Sequence, residues 1–143
     1  MRFMVIRKAD KKTEAGVLPT TELIDAMLKY HKQMEDAGIV LVEGMGLHPS
    51  SRGARIKIAG GSKPAVIDGP FAETKELIAG FSLIDVKSKE EAIEWVKRWP
   101  VEDGPVELEL RQVFAPEDFG PALTPELRDE VVRLSEGISK KKQ

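Results

Sequence analysis

Residues 2–8 form a compact apolar run, Arg2-Phe3-Met4-Val5-Ile6-Arg7-Lys8, rich in the side chains that favour a strand. Polar residues with Gly16 and Pro19 fill positions 10–19 and predict a loop. Thr20 then stands where a helix cap belongs. Ile24, Met27, Leu28, His31 and Met34 recur at helical spacing, widened by Leu23, Tyr30 and Ala37, and Gly38 marks the helix end. A second strand is predicted over 39–43, followed by a loop containing Gly44, Gly46, Pro49, Ser50, Ser51 and Gly53. Residues 54–58 alternate, with Ile56 and Ile58 on one side and Arg55 and Lys57 on the other. Gly60-Gly61-Ser62-Lys63-Pro64 turns the chain into a short strand over 65–67, which predicts a hairpin at an edge, because proline cannot donate to a ladder. Residues 78–86 read as another strand. Ser88 and Glu91 match a capping box opening a helix that buries Ala92, Val96 and one of Trp95 or Trp99, and Pro100 stops it. Over 106–114 Val106, Leu108, Leu110, Gln112 and Phe114 face one way, and Glu107, Glu109 and Arg111 the other.

The order is β-α-β, a hairpin, then β-α-β. A chain this short cannot build a large parallel sheet, so the pattern predicts an α+β fold: a ferredoxin-like antiparallel sheet with both helices on one face. Residues 1–119 form that domain, and 120–143 differ in character. There Thr124 and Pro125 begin a helix whose narrow stripe of Leu127, Val131 and Leu134 ends at Gly137, ahead of a solvated tail over 139–143. The central strands are apolar on both sides: Phe3 and Val5 alternate with Met4 and Ile6, and Leu83 with Ile84. The face away from the helices therefore needs a cover, most simply a second copy of the chain in a two-fold homodimer.

Composition narrows the chemistry. The 143 residues suit one domain, and the absence of cysteine excludes disulfides, thiolate metal sites and a cysteine nucleophile. With 22 basic and 24 acidic residues the net charge is −2, which argues against direct nucleic-acid binding. No apolar run approaches the ~20 residues of a membrane span. The expectation is a cytoplasmic protein without membrane contact. His31 and His48 lack paired metal-ligand spacing, so no metal and no cofactor are predicted.

One stretch concentrates charge. Asp68-Gly69-Pro70-Phe71-Ala72-Glu73-Thr74-Lys75-Glu76 places a forced turn, four ionisable groups and an aromatic anchor between the apolar runs 65–67 and 77–79. Gly69, Pro70 and Phe71 have turn and core explanations. Asp68, Glu73, Lys75 and Glu76 can instead crowd the rim of a cavity, where carboxylates beside an ammonium acquire the separated pKa values that acid–base work requires. His31 lies on the apolar stripe of the first long helix, where a core role competes with proton transfer. Arg52, in the glycine-rich loop, is a candidate anion anchor. For Glu107, Glu109 and Arg111 the expectation is cross-strand ion pairing with Arg55 or Lys57.

The Asp68–Phe71 run, Ala72-Glu73-Thr74-Lys75-Glu76, Gly80-Phe81, Glu90-Glu91-Ala92-Ile93-Glu94-Trp95, Arg111-Gln112-Val113-Phe114 and Gly46-Leu47-His48-Pro49-Ser50-Ser51 resemble the YCII-related family, in the branch known by its Asp-Gly-Pro-Phe motif. The resemblance runs from Met1 to about Phe119. It implies a ferredoxin-like fold pairing into a dimeric α+β barrel. In that family a histidine on the first helix has been put forward as a site residue; the equivalent position here falls near Met27, one turn before His31. The combined expectation is a small-molecule-binding homodimer capable of acid–base catalysis. Asp68 is the base or orienting carboxylate, His31 its partner, and Glu73, Lys75, Glu76 and Arg52 are the ligand-binding rim. The alternative is a non-catalytic, metabolite-sensing module linked to sigma-factor-dependent transcription.

Overall fold

The computed structural model describes residues 1–61 and 63–142; Ser62 of the hairpin turn and Gln143 of the tail lie outside them. Among the described residues six strands form: β1 (Arg2–Lys8), β2 (Val40–Gly46), β3 (Ala54–Lys57), β4 (Ala65–Asp68), β5 (Ile78–Asp85) and β6 (Leu108–Gln112). The helices are α1 (Lys11–Glu14), α2 (Thr21–Asp36), α3 (Lys89–Val96) and α4 (Pro125–Lys141). One sheet has the order β2-β5-β1-β6, with every pairing antiparallel, and β3 and β4 form a separate two-stranded ribbon. β1 and β2 are separated by β5, and β5 and β6 by β1, which is the split βαβ arrangement of a ferredoxin-like fold.

Register sorts the side chains. Phe3 lies opposite Ile84 and Val5 opposite Ser82 and Leu110, so these share a face. That face meets the helices: Phe3, Val5, Ile84 and Val86 form one core with Tyr30 and Met34 of α2, Ile39, and Ala92 of α3. Met27, Trp95, Val96 and Trp99 pack against it. The other face carries Ile6 opposite Phe81 and Glu109, and Met4 opposite Leu83 and Arg111. Met4, Phe81 and Leu83 stay half-exposed around Ile6, so an apolar centre there is flanked by charge along β6.

Local chemistry sets the helix ends. The Thr20 hydroxyl accepts from the Leu23 amide at 3.1 Å. At the other end Ile39 N–H donates to the Met34 carbonyl and Gly38 N–H to that of Glu35, a Schellman closure that puts Gly38 at φ 71°, where a side chain is disfavoured. The buried stripe of α2 is rotated from the sequence expectation. Tyr30 and Met34 are its buried centre, whereas Ile24 and Leu28 are 48% and 65% exposed. The width of the apolar arc hid its true centre, since Leu23, Met27 and Tyr30 continue it on the opposite flank. In α3 the Ser88 hydroxyl accepts from Glu91 N–H at 3.1 Å, and the Glu91 carboxylate reaches back to the Lys87 amide rather than that of Ser88.

The chain separates into two compact units, Met1–Gln112 and Val113–Gln143; the sequence pattern drew its boundary at residue 119. In the second unit Thr124 caps α4, Glu117 meets Arg128 at 3.4 Å, and the Phe114 and Phe119 rings lie 5.1 Å apart. α4 does not stop at Gly137. It continues to Lys141, because a mid-helix glycine costs only about 1 kcal/mol and this one is not forced to left-handed φ. No helix among the described residues is long and apolar enough to cross a membrane.

Candidate functional site

The Asp-Gly-Pro-Phe loop begins at the ribbon's base, where Asp68 closes β4 opposite Ala54. Gly69 N–H donates to the Gly53 carbonyl at 3.0 Å, and the Gly69–Pro70 peptide is cis. Gly69 packs so closely on the preceding loop that a Cβ there would lie 2.6 Å from the Ser50 carbonyl carbon. Ser50 is the clamp. Its Oγ accepts from Phe71 N–H at 3.0 Å and donates to Glu14 Oε2 at 2.6 Å, while its own N–H donates to Glu14 Oε1 at 3.0 Å. The Arg55 guanidinium stacks on the Phe71 ring, 4.0 Å from its centroid. The motif is thus tied to α1 and to the turn Ser50–Arg52, and its glycine and aromatic positions are fixed by packing. The Asp68 carboxylate is exposed and has no ion pair or side-chain hydrogen bond among the described residues.

Beyond Phe71 the chain makes the turn Thr74–Glu76, closed by Glu76 and Leu77 amides donating to the Glu73 and Thr74 carbonyls. Glu73, Lys75 and Glu76 are exposed. Lys75 lines an open cleft of about 850 Å³ with Arg7, Lys8, Ala9, Asp10, Pro105, Val106, Glu107 and Glu109. The cleft lies where β1 ends between its two neighbours. Lys8 N–H donates to the Glu107 carbonyl on one side, and Ala9 N–H to the Leu77 carbonyl on the other.

Arg7 organises the floor. Its Nε and Nη2 donate to the two Asp103 oxygens at 3.1 and 2.9 Å, and its Nη1 donates to Asp10 Oδ2 at 3.0 Å and the Lys8 carbonyl at 2.8 Å. Trp99 Nε1 donates to the same Asp103 carboxylate at 2.9 Å. Burial opposes the Arg7 charge, but Asp103 and Asp10 outweigh it and hold the pKa above its usual value. Asp10 caps α1 by accepting from Thr13 N–H, and this bond, against some burial and helped by Arg7, lowers its pKa. Lys8 approaches Glu109 at 3.7 Å. Lys75 and Glu107 remain without an ion-pair partner among the described residues.

His31 lies elsewhere. It is half-buried on α2, and its ring packs on the backbone of Gly44 in β2, where a Cβ would come within 2.7 Å of Nε2. Burial lowers its pKa, and Glu43 partly opposes that shift, so the ring is neutral near pH 7. No contact joins it to Asp68 among the described residues, and its sole charged neighbour in that balance is Glu43. Arg52 is exposed and sits 3.3 Å from the His48 ring nitrogens, away from the cleft lining. Of the six residues singled out in the sequence, Lys75 alone lines the cleft. Glu73 and Glu76 adjoin it in the chain, and Asp68, Arg52 and His31 stand in other surroundings. Arg7, Asp10 and Glu14 carried no motif signal; Ser50 did, through the Gly46–Ser51 stretch, and Glu107 through its place on an alternating strand. Glu107 precedes β6, and the nearest ion pairs of Glu109 are with Lys8 and Arg111, not with Arg55 or Lys57. No cluster of metal-ligating groups occurs among the described residues.

An antiparallel β2-β5-β1-β6 sheet with two helices on one face, joined through split βαβ halves, defines an α+β protein of ferredoxin-like architecture. The chain belongs to the YCII-related domain family, whose pattern matches residues 1–113. It is 43% identical over 51 residues to an uncharacterized protein of Rhizobium meliloti (strain 1021); that match covers 36% of this chain and 40% of the relative. Among solved structures, 5-chloro-2-hydroxyhydroquinone dehydrochlorinase from Burkholderia phenoliruptrix AC1100, in complex with 2,5-dihydroxybenzoquinone, is similar over 80% of this chain and 94% of that one, with 16% identity and a TM-score of 0.44.

Proposed function

We propose that the chain is the subunit of a small-molecule-binding homodimer, with one ligand cleft per subunit at the end of β1. The observation that carries this reading is the cleft of about 850 Å³ with Lys75 on its wall and no counter-ion for that lysine among the described residues. An ammonium without a partner, beside a groove of small-molecule size, offers a point of attachment to an anionic group. Arg7 is less suited to this, because Asp103, Asp10 and the Lys8 carbonyl already engage four of its five N–H donors. The dimer is supported by the sheet face of Met4, Ile6, Phe81 and Leu83, opposite the helices. Two copies placing these faces together would remove them from water.

Native mass spectrometry of the purified chain tests both parts. The reading requires a dimer that Phe81→Glu converts to monomer, and a bound organic anion that Lys75→Gln releases. A monomer at high concentration removes the dimer, and a cleft indifferent to Lys75→Gln removes the ligand site. Recovery of the bound molecule chemically unchanged after prolonged incubation would make the chain a sensing module.

The neutral, half-buried His31 ring favours a second reading, acid–base catalysis, since an uncharged imidazole near neutral pH can accept a proton. Asp68, which has no contact with the ring among the described residues, would act as a separate orienting carboxylate. Turnover unchanged in both His31→Ala and Asp68→Asn removes it.

A further inference from the structure

Six ionisable side chains line the cleft: Arg7, Lys8 and Lys75 against Asp10, Glu107 and Glu109. Two ion pairs engage four of them, with Arg7 also held by Asp103. Arg7 meets Asp10 at 3.0 Å and Lys8 meets Glu109 at 3.7 Å. What remains is one ammonium, Lys75, and one carboxylate, Glu107, both exposed and neither ion-paired among the described residues.

These two groups sit on opposite flanks of β1. Lys75 precedes β5, and Glu107 precedes β6; β5 and β6 pair with β1 from either side. Two strand spacings separate the flanks, about 10 Å between backbones. The two side chains form no ion pair among the described residues, and a short ligand that spans these strands can reach both. The apolar part of the lining is Ala9, Pro105 and Val106. A purely anionic ligand would leave Glu107 to repel it, and a purely cationic one would meet Lys75 in the same way.

Resting on the cleft reading above, we propose that its ligand is a compact zwitterion. An anionic group binds Lys75, an ammonium binds Glu107, and a short apolar linker crosses the wall formed by Ala9, Pro105 and Val106. Lys75 and Glu107 are then the specificity-determining pair.

Three matched probes test this on the full chain: 4-aminobutanoate, butanoate and butylamine, titrated with amide chemical shifts read at Ala9, Lys75, Val106 and Glu107. The zwitterion is expected to bind at least ~10-fold more tightly than either half, the factor that about 1.4 kcal/mol supplies. Glu107→Gln should reduce 4-aminobutanoate to the affinity of butanoate, and Lys75→Gln should reduce it to that of butylamine. Both substitutions are at exposed positions and leave the fold intact by the same spectra. If butanoate binds as tightly as 4-aminobutanoate and Glu107→Gln changes nothing, the zwitterion inference is overturned while the anion cleft stands. If no probe moves a resonance at the cleft, the cleft reading and this inference fall together.

Discussion

Replacing Arg7 with methionine keeps an unbranched apolar stem and removes the guanidinium. Its side chain is 11% exposed, and that of its partner Asp103 is 12% exposed. The substitution deletes both bonds to Asp103, the bond to Asp10 and the bond to the Lys8 carbonyl. Asp103 keeps only the Trp99 indole as a side-chain donor. Leaving one partner of a fully buried pair uncompensated costs about 3–5 kcal/mol. Here Asp10 is 40% exposed and regains water, so the lower end applies. We expect a loss of about 3 kcal/mol in urea unfolding, and a melting temperature lower by about 10 °C for a chain of this size. Asp103→Asn alone should cost about 2 kcal/mol, by weakening a charge-assisted bidentate pair. The double variant should cost less than the sum, with a coupling of about 1–2 kcal/mol, because the charge stranded by each single change is then absent. A methionine variant within about 0.5 kcal/mol of the wild type, the range of ordinary surface substitutions, or strict additivity in the cycle, would refute the claim that Arg7 holds the cleft floor.

Gly69→Ala should be damaging and Gly46→Ala should not, since the first Cβ meets Ser50 backbone and the second meets nothing within 4 Å in a strand where alanine is the better residue; a loss above about 3 kcal/mol against no loss, or a gain of up to about 1, is expected in denaturant titrations, and equal losses would contradict the close approach. Tyr30 is buried, donates to the Trp95 carbonyl at 3.0 Å, and has its pKa pushed up to about 12 by burial, partly offset by Arg98. The unfolded chain therefore ionises first, and the native state should lose about 2 kcal/mol more than Tyr30→Phe does as pH rises from 10 to 12; parallel curves for the two proteins would show the hydroxyl is not shielded. His31 has the opposite sign: its folded pKa is lowered, so as pH falls below its ordinary 6.5 the unfolded chain takes the proton first and stability declines. His31→Asn should flatten that part of the stability profile, and an unchanged slope would place the ring in water.

Periodicity made the sheet and its two crossing helices legible, because the central strands β1 and β5 bury alternate residues and each helix one arc. Thr20, Gly38 and Ser88 act where local signals placed them. The site was less legible for a physical reason. Its organising contacts join Arg7 to Asp103, 96 residues away, and Glu14 to Ser50, 36 residues away. Neither pair leaves a spacing that a reader of the chain can recognise. Asp10 looked like one more loop residue among 10–19, yet it caps α1 and thereby sets the direction from which Glu14 reaches Ser50. His31 shows the reverse problem: helical spacing put it on the stripe with Met27 and Met34, but the rotation of α2 moved it to the flank beside Gly44.

The two outer strands of the sheet bear on how copies of this chain can meet. β2 slips register twice against β5, between Val40 and Val42 and again between Val42 and Met45. Such irregularities twist an edge out of line with any incoming strand. β6, at the opposite border, is only five residues long and carries Glu109 and Arg111. Side-by-side addition of strands, the route by which sheets grow into open-ended aggregates, is thus obstructed at both borders. The apolar centre around Ile6 is left as the broad surface of the sheet. Two copies meeting through that surface, as proposed above, would use it up after one partner, so crowding would favour a finite particle over a fibre.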